Sequence, residues 1–261
     1  ETSTDEIFDT DRGIANPWVG TTHAAYRAAE NAFNYFDLRL LRNSWNNCLA
    51  PDAGGSVLWM QADVPTIVRH GSWVPRHTYP CGFIALSEGE AYLGPLGACN
   101  DVVLHEFAHG MQQQAGWLST DMPTAAVAEG SADVIAELGD AWRHGGTTDW
   151  VIRYGSDPAA ECPDPLRRLG ATSRAGRCPL DIPLGPYPDE LTEMYWDDSQ
   201  DSAYYNSTIV SKMGQLMGRP PGDSVSYHGL DIHGIGEELS SEIWRDAVVT
   251  ELGSMPVGLV P

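Results

Sequence analysis

The sequence of 261 residues predicts an α+β fold, in which helical segments flank a stretch of short strands. Three observations lead to this prediction. Residues 21–47 place apolar side chains at three- and four-residue spacings, residues 54–98 break into short apolar runs, and residues from 101 onward return to helical periodicity. A chain of this length can bury one large core or form two small lobes that share a cleft.

The first predicted helix covers residues 21–47, where one helical face is apolar. That face consists of Ala25, Ala28, Ala29, Ala32, Phe33, Phe36 and Leu40. Residues 54–98 contain the runs SVLWM, PTIVRH, GFIAL and AYLG, broken by Gly and Pro, which is typical of strands joined by turns. We therefore expect a small sheet-bearing lobe after the first helix.

Two more helices are predicted by DVVLHEFAHGMQQQAGW and PTAAVAEGSADVIAELGDAWRHGG. Asp101 can cap the first, Pro123 can begin the second, and Gly145 with Gly146 can end it. Residues 155–200 are rich in Pro, Gly and Asp, which indicates a loop-rich connection. The segments STIVSKMGQLMG and EELSSEIWRDAVVTEL then predict the last two helices.

The composition is that of an acidic globular protein. Lys and Arg total 15 against 36 Asp and Glu, so the formal net charge is −21. Such a charge repels nucleic acid and anionic lipid, so neither is an expected partner. No apolar run reaches the roughly 18 residues that a membrane crossing needs, so membrane insertion is not expected.

The first residues, ETSTDEIFDTD, lack the basic and then apolar pattern of a signal peptide. We expect a secreted, mature form from which a signal and a pro-segment have been removed, with an intact cytosolic start as the alternative. We also expect the protein to be a monomer.

Five cysteines are spread along the chain without a CxxC pair, which argues against a cysteine zinc cluster. They are compatible with one or two disulfides and leave at least one thiol over. Cys162 and Cys178 bracket a loop rich in Pro, Arg and Gly, and Cys81 and Cys99 bracket a predicted hairpin. These are the preferred pairs, with Cys48 remaining.

Residues 105–109 form the motif HEFAH, which matches HExxH. On a helix, His105 and His109 project from the same face, so their two imidazoles can reach one Zn²⁺. Glu106 is then placed to take a proton from zinc-bound water. Two surface histidines on an amphipathic helix would produce the same sequence motif. The apolar residues around it favour a buried pair, and buried imidazoles require a polar or metal partner.

A catalytic zinc site needs a third protein ligand, and the next predicted helix supplies one. Glu129 lies twenty residues after His109, and Asp133 lies one helical turn further, on the same face. We expect Glu129 to bind the metal and Asp133 to accept the free N–H of a ligating histidine. The alternative is that both carboxylates belong to a solvated helix face.

With HExxH and ExxxD at this spacing, the sequence resembles the thermolysin-like zinc metallopeptidases. Five segments resemble the family in the family's order: DVVLHEFAH, AEGSAD, DPLRR, YYNSTIVSK and SYHGLDIHGIGEELSSEIWRDA. The resemblance implies two lobes, a sheet-bearing lobe over residues 1–118 and a helical lobe over residues 119–261, with the zinc helix between them. It also implies an endopeptidase, in which Glu106 activates zinc-bound water for attack on a peptide carbonyl.

The resemblance implies further roles on the substrate side. Arg167 matches the family arginine that binds the substrate's backbone carbonyl, with a plain surface charge as the alternative. Four apolar residues match the primed-side specificity pocket and predict a preference for an apolar side chain after the scissile bond; they could equally be core. These are Leu93, Leu96, Val102 and Leu166.

A calcium site is also part of the resemblance. Asp101, Asp140 and Asp149 match carboxylates of a family calcium site, whereas a further family glutamate is Tyr154 here. Because Ca²⁺ takes six to eight oxygens, calcium binding and the capping or solvation of helix ends both remain open for these three residues.

The sequence departs from the family around the oxyanion. Tyr204 stands where the family has a histidine that stabilises the tetrahedral intermediate, and Ser119 or Thr120 stands where it has a tyrosine. A phenol can donate a hydrogen bond, but a neutral donor stabilises developing charge less than an imidazolium. His228 or His233 could substitute for the missing histidine, but the resemblance puts their segment away from the cleft, and lone histidines are usually structural. We therefore expect an endopeptidase of reduced or altered activity, and the competing hypothesis is a catalytically impaired relative that binds zinc and a peptide or protein partner without cleavage.

Overall fold

The computed structural model describes residues 19–42, 59–61, 71–74, 83–86, 100–115, 122–145, 148–153, 165–168, 188, 191–194 and 200–251. Five α-helices occur in these ranges: α1 (Val19–Asn34), α2 (Asn100–Gln114), α3 (Met122–His144), α4 (Gln200–Gly218) and α5 (Glu237–Asp246). The same ranges hold seven strands: β1 (Trp59–Gln61), β2 (Gly71–Val74), β3 (Phe83–Leu86), β4 (Val151–Arg153), β5 (Pro165–Arg168), β6 (Ser224–Tyr227) and β7 (Leu230–His233).

The first three strands form one sheet in the order β1-β3-β2. β1 runs parallel to β3, with Trp59 opposite Phe83, and β2 runs antiparallel to it, with Val74 opposite the same residue. β1 and β3 overlap the predicted runs SVLWM and GFIAL, β2 lies directly after the run PTIVRH, and that run and AYLG lie outside the described residues. Helices precede and follow this sheet along the chain. This arrangement confirms the predicted α+β class.

The end of α1 and the start of α2 differ from the sequence-based prediction. α1 continues as a π-helical turn over Tyr35–Arg39, and Leu41 then adopts a φ of 53°, a left-handed conformation that ends the helix. The predicted extension to residue 47 was therefore too long within the described residues, which stop at residue 42. α2 begins at Asn100, so Asp101 lies in its first turn and the predicted cap at Asp101 is wrong.

The roles predicted for Pro123 and Gly145 at the ends of α3 are confirmed, whereas Gly146 lies outside the described residues. Pro123 lies in its first turn, where the missing amide hydrogen costs nothing, and Gly145 follows its last residue with a φ of 59°. α4 begins at Gln200, before the predicted segment starting at Ser207, because buried side chains such as Ala203 and Tyr205 extend its apolar face.

The region predicted as a loop-rich connection contains a strand. β5 pairs antiparallel with β4, with Ile152 opposite Arg167. A second hairpin, β6–β7, was not predicted; its turn uses His228 and Gly229, both at positive φ. Two positive φ values in a two-residue loop suit the twist of paired strands.

α3 lies at the centre of the helical part and packs against α2, α4 and α5. The core that these helices form with α1 includes Phe36 and Phe107, whose ring centroids are 5.6 Å apart. Each fully buried side chain of this size stabilises the fold by about 1.5–3 kcal/mol. The contact between the two rings packs the π-helical turn after α1 against α2.

The lobe boundary predicted after residue 118 lies outside the described residues and stays a prediction. None of the helices in the described ranges combines the length and apolar character that a bilayer crossing requires. All five cysteines, and with them both preferred disulfides, also lie outside those ranges.

Candidate metal centre

The HExxH motif lies in the middle of α2, and the helix fixes which way its side chains point. The neighbours Leu104, Phe107 and Ala108 are buried in the core, which anchors this face of the helix. His105 and His109, one turn apart, lie with their ring centroids 4.5 Å apart and their planes at 88°. The two rings therefore converge edge to face rather than spreading into solvent.

α3 brings Glu129 to the same point. Its Oε2 lies 3.2 Å from His105 Nε2, its Oε1 lies 3.5 Å from His109 Nε2, and the two Nε2 atoms are 2.9 Å apart. Within the described part of the chain, this is the only group of three or more His, Cys, Asp or Glu side chains whose ligand atoms all lie within 4.8 Å of one another.

These distances fit a zinc ion. In a tetrahedral site with ligand bonds of 2.0–2.1 Å, two ligand atoms lie about 3.3 Å apart. The three separations fall on either side of this value. Two imidazole nitrogens and one carboxylate are also a ligand set found in catalytic zinc sites, which leave the fourth position for water or substrate.

Each histidine of the motif is oriented by a second contact. His105 Nδ1 lies 2.9 Å from Oδ1 of Asp133, which is fully buried. His109 Nδ1 lies 2.7 Å from Oε1 of Gln112. Such contacts fix the ring and direct the other nitrogen toward a metal. Sequence reasoning identified Asp133 but missed Gln112, although its position three residues after His109 on the helix was a usable signal.

The electrostatics of the cluster favour positive charge. Burial lowers the pKa of His105, but hydrogen bonds and charge interactions with Asp133 and Glu129 outweigh it and raise the pKa from 6.5 to about 10. Burial also lowers the pKa of His109, and Glu129, with a smaller effect from Glu106, raises it overall. Burial raises the pKa of Glu129, but the two histidines hold it well below 4.5. A divalent cation held by His105, His109 and Glu129 would supply the positive charge that this arrangement favours.

α4 passes close to the turn of α3 that carries Glu129. A Cβ added to Gly130 would lie 2.5 Å from the backbone oxygen of Ser207, so only glycine allows this approach. Tyr204 lies one turn earlier on α4, is half-buried, and accepts a hydrogen bond of 2.7 Å on its backbone oxygen from Ser207 Oγ. α4 therefore packs, at Ser207, against the turn of α3 that carries Glu129.

The other predicted substrate-binding residues lie in different places. Leu166 and Arg167 lie on β5, and the structure describes only their backbone. Val102 is buried in the core of α1, α2 and α3, one turn before His105. Leu93, Leu96, Ser119 and Thr120 lie outside the described residues. Their roles stay predictions.

The predicted calcium residues surround a buried glutamate that the sequence did not single out. Glu137 is 3% exposed, and its pKa is raised well above 4.5, first by burial and then by the charges of Asp101, Asp149 and Asp140. A hydrogen bond from the Trp150 backbone acts in the opposite direction. Asn100 Nδ2 donates to Asp140 Oδ1 at 2.8 Å. Calcium at this cluster stays a prediction.

The chain was compared with known proteins by sequence and by structure. No protein-family model matches it. Over 155 residues it is 25% identical to neutral protease B of Bacillus subtilis (strain 168); the match covers 59% of this chain and 25% of that protein. The chain therefore spans about a quarter of the length of this relative.

Among solved structures, the chain is similar to the precursor of protealysin, a metalloproteinase from Serratia proteamaculans. The TM-score is 0.62 at 19% identity, and the match covers 92% of this chain and 69% of that one. At this identity the likeness shows a shared fold, which agrees with the arrangement of helices and sheet described above.

Proposed function

We infer that this chain is a divergent relative of the thermolysin-like zinc metallopeptidases, and from this premise we propose that it is a zinc-dependent endopeptidase. The observation that carries the proposal is the convergence of His105, His109 and Glu129, whose ligand atoms lie 2.9–3.5 Å apart. The sequence match to neutral protease B includes too little of that protein to transfer its activity, so the chemistry is argued from the site.

Zinc, when bound at these three side chains, acts as a Lewis acid on the scissile carbonyl and acidifies water. Glu106, 4% exposed, then accepts the proton of the attacking water and passes it to the leaving amine as the peptide bond breaks. Asp133 and Gln112 hold the two imidazoles so that both Nε2 atoms stay directed at the metal position.

The remaining parts of the proposal concern the substrate. A peptide or protein is the proposed substrate, with an apolar side chain after the scissile bond in a pocket to which Leu93, Leu96, Val102 and Leu166 contribute. Arg167 is proposed to bind a substrate backbone carbonyl through its several N–H donors. We propose a secreted monomer, as the sequence predicts.

A second candidate function is a zinc-binding relative that binds peptide or a protein partner without cutting it. The residue that favours it is Tyr204, which the resemblance places where the family has its oxyanion histidine; it lies one turn before Ser207, whose backbone packs against Gly130. Retention of Glu106 favours catalysis, because a pure binding module needs no proton acceptor beside the metal.

A metal analysis followed by cleavage of a mixed peptide library tests the proposal. Endopeptidase function predicts one zinc per chain and cuts within peptides, with an apolar residue following the cut. Zinc without cuts supports the binding-only candidate. Trimming confined to chain ends indicates an exopeptidase, and protein without zinc contradicts both candidates.

Replacing Tyr204 by Phe tests the proposed hydrogen bond from its phenol to the oxyanion. We expect kcat to fall by about 10²–10³-fold, which is the usual effect of removing one such donor. Tyr204→His should retain activity or raise it, because an imidazolium stabilises developing negative charge more strongly. Equal kcat values on one peptide for the native protein and Tyr204→Phe would show that the phenol donates nothing.

Replacing Glu137 by Gln tests the electrostatics of the carboxylate cluster. A carboxyl group whose pKa is raised by folding stabilises the fold when protonated, below pH about 4.5, and this contribution is lost as the pH rises through the folded-state pKa. We therefore expect Glu137→Gln to raise Tm in calcium-free buffer at pH 7–8 and to change it little near pH 4. Each kcal/mol added to the free energy of unfolding should raise Tm by roughly 2–4 °C.

The same thermal scans test calcium. If Asp101, Asp140 and Asp149 bind Ca²⁺, added calcium raises the Tm of the native protein at neutral pH, because the ion binds only the folded state. A Tm difference between the native protein and Glu137→Gln that is equal at pH 4 and pH 8 would contradict the electrostatic explanation. A native Tm that does not respond to calcium would contradict the calcium site.

A further inference from the structure

Gln112 is a buried amide on α2 that contacts both ligand-bearing helices. It is 2% exposed. Its Nε2 donates to the backbone oxygen of Ala128 at 2.8 Å and to Ser131 Oγ at 2.9 Å, both on α3. Its Oε1 lies 2.7 Å from His109 Nδ1. One side chain thus connects the second histidine of the motif to the turn of α3 that carries Glu129.

The donor and the acceptor of each hydrogen bond in this network can be assigned, because the network ends on backbone oxygens that can only accept. The backbone oxygen of Ala128 can only accept, so the Gln112 atom facing it must be the NH₂ group. Ser131 Oγ donates to the backbone oxygen of Val127 at 2.7 Å, which leaves its lone pairs to accept from the same NH₂ group. The other terminal atom of Gln112 is therefore the carbonyl oxygen.

That assignment determines the proton on His109. The Gln112 carbonyl oxygen can only accept, so His109 Nδ1 must carry a hydrogen and donate it. When the ring is neutral, its lone pair is then on Nε2, the atom that lies 3.5 Å from Glu129 Oε1 and 2.9 Å from His105 Nε2. The tautomer required for metal binding through Nε2 is set by a backbone carbonyl on the neighbouring helix.

We propose that Gln112 is the positioning residue of His109: it holds the ring as the Nδ1–H tautomer and couples its orientation to the α3 turn that bears Glu129. This inference rests on the proposed function for the identity of the metal, but the hydrogen bonds that carry it involve only the protein. A neutral amide thus orients His109, whereas the carboxylate of Asp133 orients His105.

Three variants test the proposal. Gln112→Leu removes both the acceptor for His109 and the donors to α3, while Gln112→Glu keeps an acceptor oxygen for His109 but loses the donors. Gln215→Leu is the matched control, because Gln215 accepts from Lys212 on α4 and the substitution is the same. Circular dichroism and Tm establish that each variant folds.

The first readout is zinc affinity, measured by competition with a chromogenic chelator. We expect Gln112→Leu to lower the affinity by about 10–100-fold, which is typical for loss of a residue that orients a metal ligand. Gln112→Glu, which keeps the acceptor for His109 but loses the donors to α3, should lower the affinity less than Gln112→Leu does, and Gln215→Leu should equal the native protein. If Gln112→Leu binds zinc as tightly as the native protein, Gln112 does not position the ligand.

The second readout does not need a metal. In ¹⁵N-labelled protein, the His109 Nδ1 hydrogen should give a slowly exchanging ¹H–¹⁵N signal that persists in Gln112→Glu and Gln215→Leu and disappears in Gln112→Leu. A His109 ring protonated on Nε2 alone would overturn the inference. A native protein that shows this signal but binds no zinc would refute the proposed function and leave the assigned tautomer standing.

Discussion

Glu106→Gln is expected to abolish most of the peptide-cleaving activity while zinc stays bound. The amide keeps the shape of the side chain but cannot accept the proton of the attacking water, and a positioned general base contributes about 10²–10⁴-fold to the rate. We therefore expect kcat/KM to fall by this factor. Cleavage of a fluorogenic peptide, together with zinc content of the same samples, measures both quantities.

A suitable control is Glu30→Gln, since Glu30 is exposed on α1 and carries the same substitution away from the metal centre. It should leave the rate unchanged. If Glu106→Gln with a full complement of zinc cleaves as fast as the native protein, then another group takes the proton, and the assignment of Glu106 is wrong.

Glu129→Ala is expected to remove zinc binding at neutral pH. The substitution leaves two imidazoles and no compensating negative charge in a site where Glu129 contacts both rings. We expect the affinity to fall by more than about 100-fold, which is the upper end for loss of a residue that only orients a ligand. Isothermal titration calorimetry on chelator-treated protein measures it directly.

Thermal unfolding provides an independent measure of the same change. A ligand at about 100 times its Kd stabilises the fold by about 2.7 kcal/mol, so zinc should raise the Tm of the native protein but not that of Glu129→Ala. Glu30→Ala should respond to zinc like the native protein. A Glu129→Ala protein that still binds zinc with native affinity would show that the third ligand lies elsewhere.

The helices of this fold were largely predictable because their periodicity is local. The apolar spacing predicted α1, α3 and α5, and Pro123 with Gly145 predicted both ends of α3. The end of α1 was not predictable, because the left-handed conformation at Leu41 is imposed on a residue type that rarely adopts it. The β6–β7 hairpin was missed because its turn pairs His228, rather than Asn or Asp, with Gly229.

The candidate site was predictable where its chemistry follows spacing along one helix or between two. The HExxH and ExxxD motifs predicted which side chains α2 and α3 bring together. They also predicted that Asp133 contacts a ligating histidine, which in the structure is His105. The i, i+3 spacing of His109 and Gln112 was a usable signal for their contact, but the hydrogen bond from Gln112 to the backbone oxygen of Ala128, on another helix, has no sequence signal. Glu137 was missed for a similar reason: its neighbours Asp101 and Asp149 are distant in sequence.

The close approach of α4 could not have been predicted from composition. It depends on Gly130, where any side chain would collide with the backbone of Ser207. This glycine lies directly after Glu129 in the AEGSAD segment, so the turn of α3 that carries the proposed ligand is also the turn on which α4 packs.

The most direct test of the account is an anomalous diffraction experiment at the zinc absorption edge on crystals of the zinc-loaded protein. The account predicts one strong peak about 2.0–2.2 Å from His105 Nε2, His109 Nε2 and a carboxylate oxygen of Glu129, with the fourth position taken by solvent. A peak elsewhere, or a peak between the two histidines with Glu129 turned away from it, would contradict it.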